Sequence, residues 1–148
     1  MNNNHQSNAI KLEKIIPTSM QIALLYDLLN SRAHSISHQK PASLSDHTNF
    51  VKNHPYRAWF LITCLDAYIG TVYVSDSNTI GVNLIDAYIE HSLGEVIAKI
   101  QSKYEPLPPI ASVRSGSFAV NVPSSHDAMI SKFNDLGYQC IQVTFALK

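Results

Sequence analysis

This sequence is short of charge. Only 15% of its 148 residues are Asp, Glu, Lys or Arg, and 11 cations balance 11 anions to a formal net charge of zero. That balance argues against nucleic acid or an anionic membrane as a partner, because both need a concentrated cationic face and no helix here carries one. Cysteine is scarce too. Cys64 and Cys140 lie within apolar, strand-like runs, which predicts buried free thiols of a reducing cytoplasm and not a disulfide framework. No Gly-rich dinucleotide fingerprint, P-loop or Gly-x-Ser-x-Gly elbow occurs. Apolar runs end after a handful of residues, too short for a transmembrane helix. Residues 1–8 are polar and Asn-rich, without the basic and apolar regions of a secretory leader, and are expected to form a flexible tail.

What remains is 45% apolar, the composition of a globular domain with a full core. The length suits one domain, expected over residues 9–148. Seven histidines invite a metal reading, and His34 with His38 have helical i, i+4 spacing. No cysteine or carboxylate accompanies them at ligand spacing, so no metal is expected.

Ile10–Ile16 alternates like a half-buried strand. Pro17 breaks it, and Thr18 with Gln21 forms a capping box opening a helix with Ile22, Leu25, Leu28 and Leu29 on one face. After a polar stretch, Ser31–Lys40, Ser43 opens a shorter helix carrying Leu44, Phe50 and Val51, closed by His54-Pro55. Ala58–Leu65, Tyr68–Val74 and Thr79–Ile85 read as strands joined by tight turns at Asp66 and Asp76–Asn78, hence an antiparallel meander. Ser92 with Glu95 predicts the cap of a third helix, whose stripe is Leu93, Val96, Ile97, Ile100 and Tyr104. A strand centred on Phe118–Val122 follows. A last helix turns Met129, Ile130, Phe133 and Leu136 inward and ends at Gly137, and Tyr138–Leu147 reads as the final strand. The order is β-α-α-β-β-β-α-β-α-β, an α/β mixed sheet.

That order resembles the GNAT (GCN5-related N-acetyltransferase) fold, and two stretches carry the likeness locally. Val122–Tyr138 is similar to the family's Asn-x-x-Ala-x-x-x-Tyr-x-x-x-Gly-Phe segment, with His126 at the Asn, Phe133 at the Tyr and Leu136-Gly137-Tyr138 at its end. Val82–Ile97 falls where the family has a strand and a Gln/Arg-x-x-Gly-x-Gly/Ala turn. Ile89, Ser92 and Gly94 stand at its Gln/Arg, first Gly and last position, and Gly94 alone conforms.

The resemblance implies an acyl-CoA-dependent transferase moving an acetyl group from acetyl-CoA to the amine of a small molecule or amino sugar, with a homodimer compatible. It implies main-chain contacts to the cofactor at Val82 and Leu84, a pyrophosphate site over Glu90, His91, Ser92, Leu93, Gly94 and Glu95, and further cofactor contacts at His126 and Phe133. Main-chain N–H groups at a helix start can hold a pyrophosphate whatever the side chains, although Glu90 and Glu95 would repel it and His91 would offset part of that. Asp86, His47 and its neighbour Asp46 are candidate bases; Asn83 is a candidate for orienting the acceptor. Tyr56, Arg57 and Trp59 are candidates for holding it, by bidentate pairing and stacking. Each has an ordinary structural alternative. Phe133 cannot protonate a leaving thiolate, so a fold that binds a ligand or partner without acyl transfer stays open as the second reading.

Overall fold

The computed structural model describes residues 9–31 and 43–148. His34 and His38 and most of the polar stretch lie outside the described residues, as do residues 1–8 of the expected tail. The architecture is a mixed five-stranded sheet with four helices, α+β. Its strands are β1 (Ile10–Lys14), β2 (Ala58–Cys64), β3 (Ala67–Val74), β4 (Thr79–Leu84) and β5 (Ala119–Val120). The helices are α1 (Ser19–Asn30), α2 (Leu44–Lys52), α3 (Ile89–Lys103) and α4 (Asp127–Asp135). Spatial order follows chain order, β1-β2-β3-β4-β5. The first three pairings are antiparallel and β4–β5 is parallel.

Local chemistry explains the elements. Thr18 Oγ1 accepts the Gln21 N–H at 3.2 Å, and Gln21 Oε1 accepts the Ile16 N–H at 2.6 Å, so the first helix start is held from both sides. Ser43 Oγ accepts the Asp46 N–H at 3.1 Å and caps α2. Leu65 and Asp66 both take positive φ, 48° and 69°, the backbone of a two-residue hairpin turn. Gly137, at φ 86°, ends α4 in the left-handed region.

Two cores share the sheet. Phe60, Ile62, Val72, Val74, Ile80 and Val82 pack with α3 residues Leu93, Val96, Ile97 and Ile100 and with Met129 of α4. On the other face, Trp59 and Leu61 pack with Ile15, Ile22, Leu25 and Val51 under α1 and α2. The alternation of Trp59-Phe60-Leu61-Ile62 between the two follows from the strand period of two. Opposite Ile62 and Thr63 the register shifts, because Ile69 of β3 is an extra, unpaired residue, and Ile69 therefore shares a face with Val72 while β2 keeps its alternation through Cys64.

The described residues correct several expectations. The third helix starts at Ile89 and not at Ser92, because Asp86–Tyr88 winds a 3-10 turn that feeds it. Ser92 is therefore buried inside the first turn instead of capping it. In α4 only Met129 is fully buried; Phe133 is partly covered, while Ile130 and Leu136 are exposed. Leu44 and Phe50 of α2 are exposed as well. Phe118, Val120 and Val122 do face the core in alternation, yet only Ala119 and Val120 join the ladder. Tyr138–Leu147 forms no strand. The Tyr138 N–H donates to the Phe133 carbonyl at 3.0 Å, and no main-chain bond beyond it reaches another described residue. Cys140 lies in this arm and is exposed, and Cys64 is only half-buried, so neither is the deeply buried thiol its surroundings predict.

Candidate functional site

The parallel ladder between β4 and β5 is short, pairing Thr79 with Ala119 and Ile80 with Val120 and nothing further. Pairing of β4 to β3 continues to Leu84. The Ile85 N–H donates to the Ile69 carbonyl on the β3 side at 2.9 Å. Main-chain direction alternates along a strand, so Gly81 and Asn83 also face β3. Val82 and Leu84 then present their N–H and C=O groups toward β5, past the point where its ladder has ended. An amide left open this way can donate to a carbonyl oxygen of a bound molecule.

Directly after this edge, Asp86 reaches His126 at the start of α4, with Oδ1 3.6 Å from Nε2. The carboxylate is largely exposed, whereas His126 is buried. The structure thus joins two candidates distant in sequence, one from the end of β4 and one from the N-terminus of α4.

The helix start carries the two carboxylates that would oppose an anion. Each has a cation. Glu90 Oε1 accepts from Lys132 Nζ at 3.2 Å across to α4, and Glu95 lies 4.0 Å from Lys99 one turn on. The Ile89 N–H is already bound to the Asp86 carbonyl. Ile89, Ser92 and Leu93 are buried, while His91 is exposed. Gly94 lies well inside α3, and a Cβ there would come within 3.3 Å of Leu136 Cδ2. It is a close-packing residue between α3 and α4, not part of a turn around a phosphate. The residues therefore fit an acyl-CoA partly. The open β4 edge suits an amide-bearing arm and the neutralised carboxylates tolerate phosphate, but the helix start offers fewer donors than a Gly-rich turn.

On the opposite face, Tyr56 stacks on Tyr73 with ring centres 3.9 Å apart and planes 6° from parallel. Trp59 and His54 meet Tyr56 at 5.2 and 5.6 Å. Gly81 lies beneath the Tyr73 ring, where a Cβ would collide with it. Asn83 stands opposite Thr71 on the same stretch. Burial holds the His54 imidazole below its ordinary 6.5, with Nδ1 accepting the Tyr56 N–H at 3.2 Å.

Other candidates are engaged elsewhere. Buried His47 donates from Nε2 to the Ile22 carbonyl at 3.2 Å and packs against Tyr26, tying α2 to α1. Arg57 donates to the Glu105 carbonyl at 2.8 Å and lies over the Tyr104 ring, at the C-terminal end of α3. Phe133 packs against the core and meets Tyr138 edge-on at 6.0 Å. Lys132 and Tyr73 were not foreseen; Lys132 meets Glu90 across a wide sequence separation that no local pattern reveals. Among the described residues no cluster of three His, Cys, Asp or Glu side chains could hold a metal, and no helix is long and apolar enough to cross a membrane.

No protein-family model matches the sequence, and no curated protein is significantly similar to it. Solved structures are. A possible acetyltransferase from Clostridium difficile 630 superposes at TM-score 0.55 and 11% identity, covering 95% of this chain and 98% of the other. An aminoglycoside acetyltransferase from an uncultured soil metagenomic sample, in complex with sisomicin, gives 0.52 at 12% identity, with 95% and 98% covered. An integron cassette protein from the Vibrio cholerae mobile metagenome gives 0.61 at 9% identity, with 95% and 93% covered. With the splayed β4–β5 edge and the meander in place, the fold of this chain is that of the GNAT acetyltransferases, in divergent form.

Proposed function

We propose that the chain is an acyl-CoA-dependent N-acetyltransferase acting in the cytoplasm on the primary amine of a small molecule or amino sugar. The observation that carries this reading is the β4 edge, where Val82 and Leu84 turn main-chain groups into a gap that β5 leaves open. An N–H of this edge donates to the thioester carbonyl as negative charge builds on its oxygen. The acceptor nitrogen forms a bond to that carbon, the carbon–sulfur bond breaks, and the thiolate leaves. The proton lost by nitrogen passes to the exposed Asp86 carboxylate, which His126 holds in place, and from there to solvent. Asn83 and the Tyr56–Trp59 shelf are the groups proposed to orient the acceptor. The structural neighbour in complex with sisomicin, an amine-bearing ligand, is consistent with such an acceptor class.

Phe133 offers no proton to the leaving sulfur. The deficit is tolerable because a thiol with pKa near 8.5 leaves as thiolate without full protonation. The same residue favours the second reading, a domain that binds without transferring.

Calorimetry with acetyl-CoA and thiol release with an amine panel separate the two. The transferase reading expects saturable binding, amine-dependent thiol release, and a loss in kcat of about 10²-fold in Asp86→Asn with binding retained. Binding without thiol release above background moves the second reading to first place. Absence of binding removes acyl-CoA from the account.

A further inference from the structure

The chain leaves α3 through Lys103-Tyr-Glu-Pro-Leu-Pro-Pro109, which holds three of its seven prolines. Stopping a helix needs only one of them, and α3 has already ended at Lys103, with Tyr104 extended. Proline fixes its own φ at about −65° and drives the residue before it out of the helical region. Pro106, Pro108 and Pro109 thereby favour the polyproline II form, with three residues per turn. Burial follows that period. Tyr104 and Leu107 are half-buried, whereas Lys103, Glu105, Pro106, Pro108 and Pro109 are exposed. One edge of the segment lies on the protein; the other two, Pro106 with Pro109 and Glu105 with Pro108, face outward.

The main chain of this segment is fastened by side chains from three other places. Arg57 Nη1 donates to the Glu105 carbonyl at 2.8 Å. Asn78 Nδ2 donates to the Leu107 carbonyl at 2.9 Å, and its Oδ1 accepts the Leu107 N–H at 2.8 Å. Arg114 Nε donates to the Pro108 carbonyl at 2.9 Å. A polyproline II stretch makes no hydrogen bonds of its own, so these borrowed ones order it before any partner arrives. Pro109 rests on Gly116, where an added Cβ would come within 3.1 Å of its ring. Beyond it, Ile110 and Val113 are exposed and border a shallow depression. The prolines and these two side chains make one rigid, uncovered apolar ridge, the kind of surface that marks an interaction site.

We propose that this ridge is a docking surface for a partner domain whose groove is lined by aromatic rings and ends in an acidic pocket. Such grooves take the outward rings of a Pro-x-x-Pro segment, here Pro106 and Pro109, between their aromatic side chains, and they gain because the segment is ordered in advance. Lys103 sets the direction. It is exposed and stands three residues before Pro106, where it meets an anionic pocket at one end of the groove. The other end of the segment offers no such cation, since Pro109 is followed by Ile110, Ala111 and Ser112. Helix α3 has 15 residues and therefore spans about 22 Å, with the ridge at its end and the β4 edge near its start. Docking leaves the proposed acyl-transfer site open and needs no transfer to occur.

The probe is an isotopically labelled SH3 domain selective for a cation placed before Pro-x-x-Pro, titrated with the full chain and followed by heteronuclear NMR. Wild type is expected to give saturable shifts confined to the aromatic groove and the acidic pocket. Pro106→Ala/Pro109→Ala is expected to weaken binding at least ~10-fold. Lys103→Glu is expected to weaken it by a similar factor of about 10, more at low salt than at high. Lys103→Glu leaves every proline in place, so it keeps the test readable should the double variant melt early. No saturable binding by wild type, or wild-type affinity in either variant, overturns the proposal. Binding lost with the prolines but indifferent to Lys103→Glu assigns the ridge to a groove without an acidic pocket, as in a WW domain, and overturns the partner named here.

Discussion

Asn78 shows how much a single residue fixes in this chain. It is buried, takes φ 61°, and joins three segments. Its Nδ2 donates to the Leu107 and Ser115 carbonyls at 2.9 and 2.7 Å, and its Oδ1 accepts the Leu107 N–H at 2.8 Å. Its own carbonyl accepts the Ala119 N–H, which begins the contact with β5. Removing the amide strands those buried groups, so Asn78→Ala should destabilise by about 2–4 kcal/mol in urea unfolding. Asn78→Gly relieves the backbone but not the bonds, and should recover only about 1 kcal/mol of that loss. Equal stability of Asn78→Gly and wild type would mean the amide contributes nothing. His54 gives a pH dependence. Its imidazole is held below 6.5 by burial, so the folded state binds its proton less readily than the unfolded chain. Its contribution is full above 6.5 and is lost as pH falls through the lower folded value. The melting-temperature advantage of wild type over His54→Gln should therefore shrink from pH 7.5 to 5. A constant difference across that range would contradict it.

Helix α3 sets two relations that a pattern of single residues does not show. Its packing on α4 brings Gly94 against Leu136. Gly94→Ala gains about 1 kcal/mol of helix propensity and meets a half-exposed, flexible Leu side chain, so its melting temperature should stay within a few degrees of wild type. Gly94→Leu has no such space and should displace α4, lowering stability and separating Glu90 from Lys132. Unchanged melting in Gly94→Leu would show that the helices are not closely packed. The caps at Thr18 and Ser43, the meander turns and the stripe from Leu93 to Ile100 were legible because each is written in neighbouring residues. The start of α3 was not, since the 3-10 turn at Asp86–Tyr88 carries no capping signature and the Ser92–Glu95 pair imitates one. At the site, the open groups of Val82 and Leu84 follow from strand alternation once the strand is known. Meetings such as Asp86 with His126 need the fold itself. The alternation in Tyr138–Leu147 was real as a pattern, but alternation specifies faces and leaves the partner strand unnamed.

At the scale of the whole molecule, β2 is the shared wall of both cores, sending Trp59 and Leu61 one way and Phe60 and Ile62 the other. Neither layer can lose its packing without disturbing that strand. Trp59, the single tryptophan, reports on the α1–α2 side, while far-UV circular dichroism weights all the helices. The two probes should give coincident urea transitions, and a gap between their midpoints would show the layers unfolding separately. The sheet also keeps chain order, with one long excursion between Lys14 and Ala58 in which α1 and α2 are made. The β2–β3 and β3–β4 hairpins close over a few residues each, whereas β1 must wait for a far larger loop. Closure entropy grows only slowly with loop length, so the native sheet tolerates this arrangement at equilibrium, but rates respond strongly to sequence separation. In pulse-labelled hydrogen exchange, amides of the meander should gain protection first and those of Ile10–Lys14 late. Among the antiparallel strands the N-terminal one is then also the first to peel away, and within β1–β4 a protease added under native conditions would find its opening there.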